Sequence, residues 1–455
     1  MTIKYEFQEI SNQSNFQLIV FSTQKELLKS LNKDQSERLM TSDDHLTIHQ
    51  NFDSIIIYIQ LDDTLEKNRR LGATLFKSIK SLATDSFQVT GEFNYELIEG
   101  LFLSAYSFDL FKSSNKKLKT LIFDPQNKDQ IEKLNQIVSA VHWSRDLVNT
   151  PFNHLGTQEI KENISSTLSD TNLKITFWDK KEIEKQNCGG IIAVNQASSV
   201  DPTFGILEHK PSNAENEKPI ILVGKGVVYD TGGLSLKSSA GMEIMKCDMG
   251  GLASVVGTMK AITNLNLNKW VIALLPITDN LISNKAIAPG DVITMRSGST
   301  VEVMNTDAEG RLILADALDY AKELDPLITV DLATLTGASL RAIGQYGATI
   351  MGTANSEYFH LINKKGNETG ERIARLPFWD DYSKELESDI ADLKNIGGST
   401  AGAITAGKFL EHFVGYDWLH LDIAGPAYLS SAKHYNTSGG TGFGIRLLIS
   451  FINEL

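Results

Sequence analysis

The sequence predicts two α/β domains, the larger C-terminal one a mixed sheet flanked by helices. Three observations carry that prediction. Apolar runs of strand length alternate with longer stretches of helical spacing in both halves of the chain. One amphipathic stretch, Gln130 to Val148, separates the two series. The 455 residues, 42% hydrophobic and 22% charged, are enough for two buried cores and exclude a disordered or low-complexity chain.

In the first series, Phe16 to Phe21, Ile55 to Leu61, Phe87 to Phe93 and Thr120 to Phe123 are rich in Ile, Val and Phe and read as strands. Thr64 to Leu82 and Tyr95 to Phe111 have helical spacing between them. Residues 1–127 are therefore an N-terminal α/β domain, whose residues concentrate no chemistry. Ile131, Leu134, Ile137, Val138, Val141 and Leu147 then recur at three- and four-residue intervals, and Pro151 stops the pattern. This predicts a linking helix over 128–150 and a second domain over 151–455.

In that domain Pro219 to Val223, Trp270 to Thr278, Leu327 to Thr334 and Trp418 to Ile423 read as buried strands. Val292 to Met304 reads as a hairpin turning at Ser297-Gly298-Ser299, and Lys210 to Lys218 as a surface loop. Gly439 to Gly444 reads as a tight turn before the apolar run Ile445 to Phe451. In open α/β sheets, ligands bind where strand C-termini meet helix N-termini. The unusual residues of this chain cluster at those junctions.

Composition narrows the function. Forty-three Lys and Arg against 56 Asp and Glu give a net charge of −13, which removes any general attraction to nucleic acid or anionic membrane. A local basic stretch, Lys67, Arg69, Arg70, Lys77 and Lys80, reads as a solvated helix face. Two cysteines, Cys188 and Cys247, fit a reducing cytoplasmic setting. The first residues lack the pattern of a signal peptide, and the longest apolar runs fall far short of the ~20 residues that span a bilayer. A soluble cytoplasmic protein is expected.

HExxH, CxxC and GxSxG are absent, and Gly224-Lys225-Gly226 lacks the order of a phosphate loop. Two segments stand out instead. Val223 to Gly251 holds Lys225 at a strand end, Asp230 in the next loop, Lys237 in a Gly/Ser-rich loop and Asp248 just before a helical pattern. Asn305 to Leu312 (NTDAEGRL) holds Asp307, Glu309 and Arg311 before another helix. Taken singly, Asp248 and Asp307 are as readily helix caps and the lysines solvated. Together they bring four carboxylates to one sheet edge, where they repel unless cations compensate them. A two-metal site at the strand ends is the natural solution, its oxygen-rich ligands allowing Mg, Mn or Zn.

At these residues the sequence resembles the leucine aminopeptidase (cytosol aminopeptidase) family of dinuclear metallopeptidases. NTDAEGRL is similar to that family's signature, and the glycine-rich segment Gly224 to Gly251 to its other metal segment. Further similar stretches are Arg145 to Asn149, Ala333 to Ala338, Asp392 to Asn395 and His420 to Gly425. The resemblance implies that Lys225, Asp230, Asp248 and Glu309 hold a tighter metal and Asp230, Asp307 and Glu309 a more exchangeable one, with Asp230 and Glu309 bridging. Zn or Mn is expected, with Mg or Co as alternatives. Lys225 must then be neutral, which two adjacent cations favour.

The same resemblance implies hydrolysis of the N-terminal residue, preferably Leu, Met or another apolar one, from peptides with a free N-terminus. Water activated between the ions attacks, Lys237 and a metal stabilise the oxyanion, and Arg311 holds a bicarbonate as general base. Met245, Thr334, Leu335 and Gly337 are implied to bind substrate, and a homo-hexamer, a dimer of trimers, is implied for assembly. A dipeptidase role resembling cysteinylglycine turnover is the alternative the same site permits, and a secondary DNA-binding role is the alternative from another class. Tyr229 and Thr231 stand where the family more often has Phe and Ser, and Cys247 where it has Ala. The last change raises the expectation of sensitivity to thiol reagents.

Overall fold

The first series builds one parallel sheet with a single antiparallel edge. Its elements are β1 (Thr2–Phe7), β2 (Phe16–Phe21), β3 (Leu46–Gln50), β4 (Ile55–Gln60), α1 (Leu65–Ser81), β5 (Ser86–Gly91), α2 (Tyr95–Ser104) and β6 (Leu118–Phe123). Among the described residues the strand order is β1-β6-β5-β2-β4-β3, with only β3 antiparallel to its neighbour. The computed structural model describes residues 2–10, 14–22, 45–50, 54–113 and 118–455.

α1 and α2 cross at two glycines. A Cβ at Gly100 would lie 1.9 Å from the Arg69 carbonyl oxygen, and one at Gly72 would lie 2.1 Å from that of Leu97. The approach buries Arg69 against Glu99, so this member of the basic stretch faces inward. Lys67 pairs with Asp62, and Arg70 with Glu66.

α3 (Lys128–Asn149) follows, then α4 (Thr157–Thr167), β7 (Lys174–Trp178), α5 (Lys180–Lys185), α6 (Gly189–Asn195), β8 (Thr203–His209), β9 (Ile220–Gly224) and β10 (Gly226–Asp230). Next come α7 (Ser239–Met242), α8 (Gly250–Asn264), β11 (Val271–Asn280), the hairpin of β12 (Asp291–Thr294) and β13 (Thr300–Val303), α9 (Gly310–Ala321) and β14 (Ile328–Ala333). The remainder comprises α10 (Gly337–Ile343), β15 (Ala348–Gly352), α11 (Ser356–Thr369), β16 (Ile373–Arg375), β17 (Leu393–Lys394), α12 (Gly402–Glu411), β18 (Trp418–Asp422), the short pair β19 (Tyr428–Leu429) and β20 (Gly439–Gly440), and α13 (Ile445–Glu454).

The larger sheet runs β16-β15-β18-β14-β9-β11-β8-β7, with β10 also on β11. Its centre, β18-β14-β9-β11, is parallel, and β8, β7 and β15 join antiparallel, so the sheet is mixed as the sequence predicts. Ile220 to Val223 and Ile328 to Ala333 are buried on both faces, which is why they read as unbroken apolar runs. Each large aliphatic side chain there contributes about 2 kcal/mol of burial.

The chain divides into two compact units, Met1–His142 with Ser431–Ser438, and Trp143–Ser430 with Gly439–Leu455. α3 spans the division. The short return of Ser431–Ser438 to the first unit has no periodicity that the sequence could announce. Among the described residues no helix is long and apolar enough to cross a membrane.

Candidate metal centre

β9 and β10 are one line of strand broken at Lys225. Both lie parallel to β11, β9 against Val271 to Leu274 and β10 against Ile277 to Asn280. At the break the Lys225 N–H still donates to Leu332 of β14 at 3.1 Å, while its carbonyl accepts the Leu252 N–H at 2.9 Å in the first turn of α8. One of the otherwise unpaired N–H groups at that helix start is thereby satisfied. Asp230 ends β10, and Gly232 and Gly233, at φ +85° and +60°, turn the chain back toward Lys237. The Asn305 side chain accepts the Asp307 N–H at 2.8 Å and shapes the second acidic loop.

The simpler reading of the two aspartates as helix caps does not hold. α8 is preceded by Met249 and α9 by Glu309, neither start has a side-chain cap, and Asp248 and Asp307 point elsewhere. Lys225 Nζ lies 2.7 Å from Asp248 and 3.1 Å from Glu309, and donates to the Thr334 carbonyl at 3.0 Å. The Thr334 hydroxyl donates to Asp248 Oδ1 at 2.8 Å. Lys237 Nζ lies 2.7 Å from Asp230 and also contacts Asp307. One oxygen each from Asp230, Asp307 and Glu309 lies within 4.8 Å of the others, a group able to hold a metal ion.

The charges are under strain. Burial pushes the Asp230 carboxyl up to about 6, Glu309 adding to the rise against the pull of Lys237 and Lys225. Burial also raises Asp248 well above the usual carboxylate range, and raises Asp307. Glu309 is held below its ordinary value, because Lys225 and Lys237 outweigh its burial. Burial alone would lower Lys225, but Asp248, Glu309 and Asp230 hold it above an ordinary lysine.

Three buried carboxylates and the partly exposed Asp307 thus face two ammonium groups, and a divalent cation relieves the excess charge. The donors fit one: Glu309 Oε2 is buried with no hydrogen-bond partner among the described residues. Lys225 is ion-paired in this arrangement, whereas an amine that binds metal must be neutral, so binding through it releases a proton.

Arg311 is buried in the first turn of α9. Its Nη1 donates to the Asn395 carbonyl at 2.8 Å, and its Nε is buried without a partner among the described residues. Met245, Thr334 and Leu335 are partly buried, and Gly337 is exposed at the start of α10. Cys247 departs from expectation. Burial, with Asp248 beside it, pushes its thiol up to about 12, which leaves little thiolate for reagents to attack.

Three positions were given no role by the sequence reading. Asn280 donates to Asp230 Oδ1 at 2.8 Å. The Thr306 hydroxyl donates to the Gly232 carbonyl at 2.7 Å and accepts the Ser235 N–H at 2.8 Å, stitching the two acidic loops together. Asn395 accepts the Met304 N–H at 2.8 Å and donates to the Asn305 carbonyl at 2.7 Å. None carries charge; Thr306 alone lies within an acidic segment, whereas Asn280 and Asn395 meet partners 50 and about 90 residues away.

Residues 142–449 match the family model described as the cytosol aminopeptidase family, catalytic domain. The chain belongs to the cytosol aminopeptidase family. A probable cytosol aminopeptidase of Chloroherpeton thalassium is 42% identical over 402 residues, covering 83% of this chain and 78% of that one. Another, from Chlorobium phaeobacteroides, is 44% identical over 393 residues, covering 82% and 78%. Among solved structures, the bottromycin maturation enzyme BotP in complex with Mn matches with a TM-score of 0.87 at 27% identity, over 97% of this chain and 99% of that one. The chain is accordingly a metallo-aminopeptidase, a hydrolase of peptide bonds, and the acidic cluster is the candidate seat of its metal dependence.

Proposed function

We propose that this aminopeptidase releases single apolar residues, preferably Leu or Met, from the free N-termini of peptides at a site for two divalent ions. Lys225, Asp230, Asp248 and Glu309 would hold the tighter ion, and Asp230, Asp307 and Glu309 the more exchangeable one. The observation that carries this reading is the convergence of Asp230, Asp307 and Glu309 beside the buried, unpartnered Glu309 Oε2. Mn or Zn suits donors that are oxygen-rich with one amine, Mg and Co being compatible, and the Mn complex of BotP favours Mn. When bound, such ions polarise a carbonyl and lower the pKa of water.

The chain's own residues do the rest. Recognition of a free α-amino group by the acidic cluster limits cleavage to one residue at a time. Lys237, bridging Asp230 and Asp307, donates to the scissile carbonyl oxygen as negative charge develops there. Arg311, with Nε unpaired, would hold a bicarbonate as proton acceptor. Met245, Thr334, the Leu335 carbonyl and Gly337 would receive the N-terminal residue. Assembly as a cytoplasmic hexamer through residues 1–127 is part of the same reading, and sedimentation of the native protein tests it.

The decisive experiment is release of leucine from leucine amide by metal-depleted protein titrated with Zn, Mn, Co and Mg, beside an N-acetylated control. Activity is expected to return with metal and to vanish on acetylation. Folded protein that stays silent with every metal would overturn the proposal.

A further inference from the structure

We infer that Asn280 is a positioning residue for Asp230, fixing which carboxylate oxygen is left to bind metal; this rests on the proposal that Asp230 is a ligand. β11 is buried along its whole length and ends at Asn280. β10 runs parallel to it with an irregularity of register between Val227 and Asp230, which brings Asp230 opposite Asn280. The backbone carbonyl of Asn280 accepts both the Thr231 N–H, at 3.0 Å, and the Thr231 hydroxyl, at 2.8 Å, so its own position is fixed.

From there the side-chain amide divides its two hydrogens. One goes to Asp230 Oδ1 at 2.8 Å and the other to the Thr306 carbonyl at 3.0 Å, on the residue before Asp307. Asp230 Oδ1 also accepts the Gly232 N–H at 2.8 Å. Two N–H donors occupy the lone pairs of Oδ1. Oδ2, which contacts Lys237 at 2.7 Å, is the oxygen left for a cation.

A carboxamide suits this task for a chemical reason. It donates at every pH, whereas an aspartate in its place would set a like charge against Asp230. At 5% exposure, Asn280 also leaves little access for water as a substitute donor. One planar group thus orients a ligand and anchors the backbone leading to the next.

The test is titration of Mn into metal-depleted wild-type protein and Asn280→Ala, with melting temperatures measured in the presence and absence of Mn. Asn280→Ala is expected to melt near wild type without Mn yet to bind it about ten- to a hundred-fold more weakly, the range for partners that orient a ligand. Asn280→Ser, with a shorter donor, is expected between the two and replaces the alanine variant if that does not fold. Unchanged Mn affinity overturns the inference, whether or not the metal-free melting temperature falls. Wild-type protein that takes up no Mn, Zn or Co overturns the metal centre itself, a separate failure.

Discussion

A methyl group at Gly310 would lie 2.3 Å from Cε and 2.6 Å from Nζ of Lys225. The glycine between Glu309 and Arg311 is therefore the space through which the lysine reaches Asp248 and Glu309. Gly310→Ala must push the amine away while leaving every charged residue in place. Metal affinity and leucine release are both expected to fall by at least about tenfold, with the circular dichroism spectrum retained. Full activity in this variant would mean that Lys225 can leave its position without consequence.

At the scale of elements, α9 joins the site to the hairpin and α6. Asp316 on this helix is fully buried and accepts the Ile191 N–H at 2.9 Å and the Arg296 N–H at 3.0 Å. Burial outweighs those bonds and pushes its carboxyl from 3.8 up to about 7. Between these values the folded chain holds a proton that the unfolded chain has released. Stability from this group is full below about pH 4 and falls as pH rises toward 7. Asp316→Asn removes that slope, so urea unfolding from pH 5 to 7 should show wild type losing stability relative to the variant. Parallel pH profiles would show that Asp316 is ionised in the fold.

The elements also show what a sequence can and cannot reveal. β9, β11, β14 and β18 were legible within two residues because strands buried on both faces are unbroken apolar runs. β1, with Lys4 and Glu6 among its apolar residues, and the short edge strand β3 give no such signal. In the site, the charged residues stood out because charge between apolar elements is costly. Asn280 and Asn395 did not, being neutral amides whose partners lie 50 and about 90 residues away, brought near only by the sheet.

At the scale of the whole molecule, a net charge of −13 repels nucleic acid. The basic stretch on α1 does little to offset it, since Lys67, Arg69 and Arg70 are engaged by Asp62, Glu66 and Glu99. No shift of duplex DNA is expected at micromolar protein, even at low salt; a shift that weakens as salt rises would reverse this expectation.

The return of Ser431–Ser438 to the first unit also orders events at the ribosome. Tyr435, buried there, donates to Glu66 at 3.2 Å. The unit that begins to emerge first is therefore completed almost last, after nearly all of the catalytic portion has been translated. At ordinary elongation rates that interval lasts tens of seconds, during which α1 must persist without the contact that Tyr435 makes to Glu66.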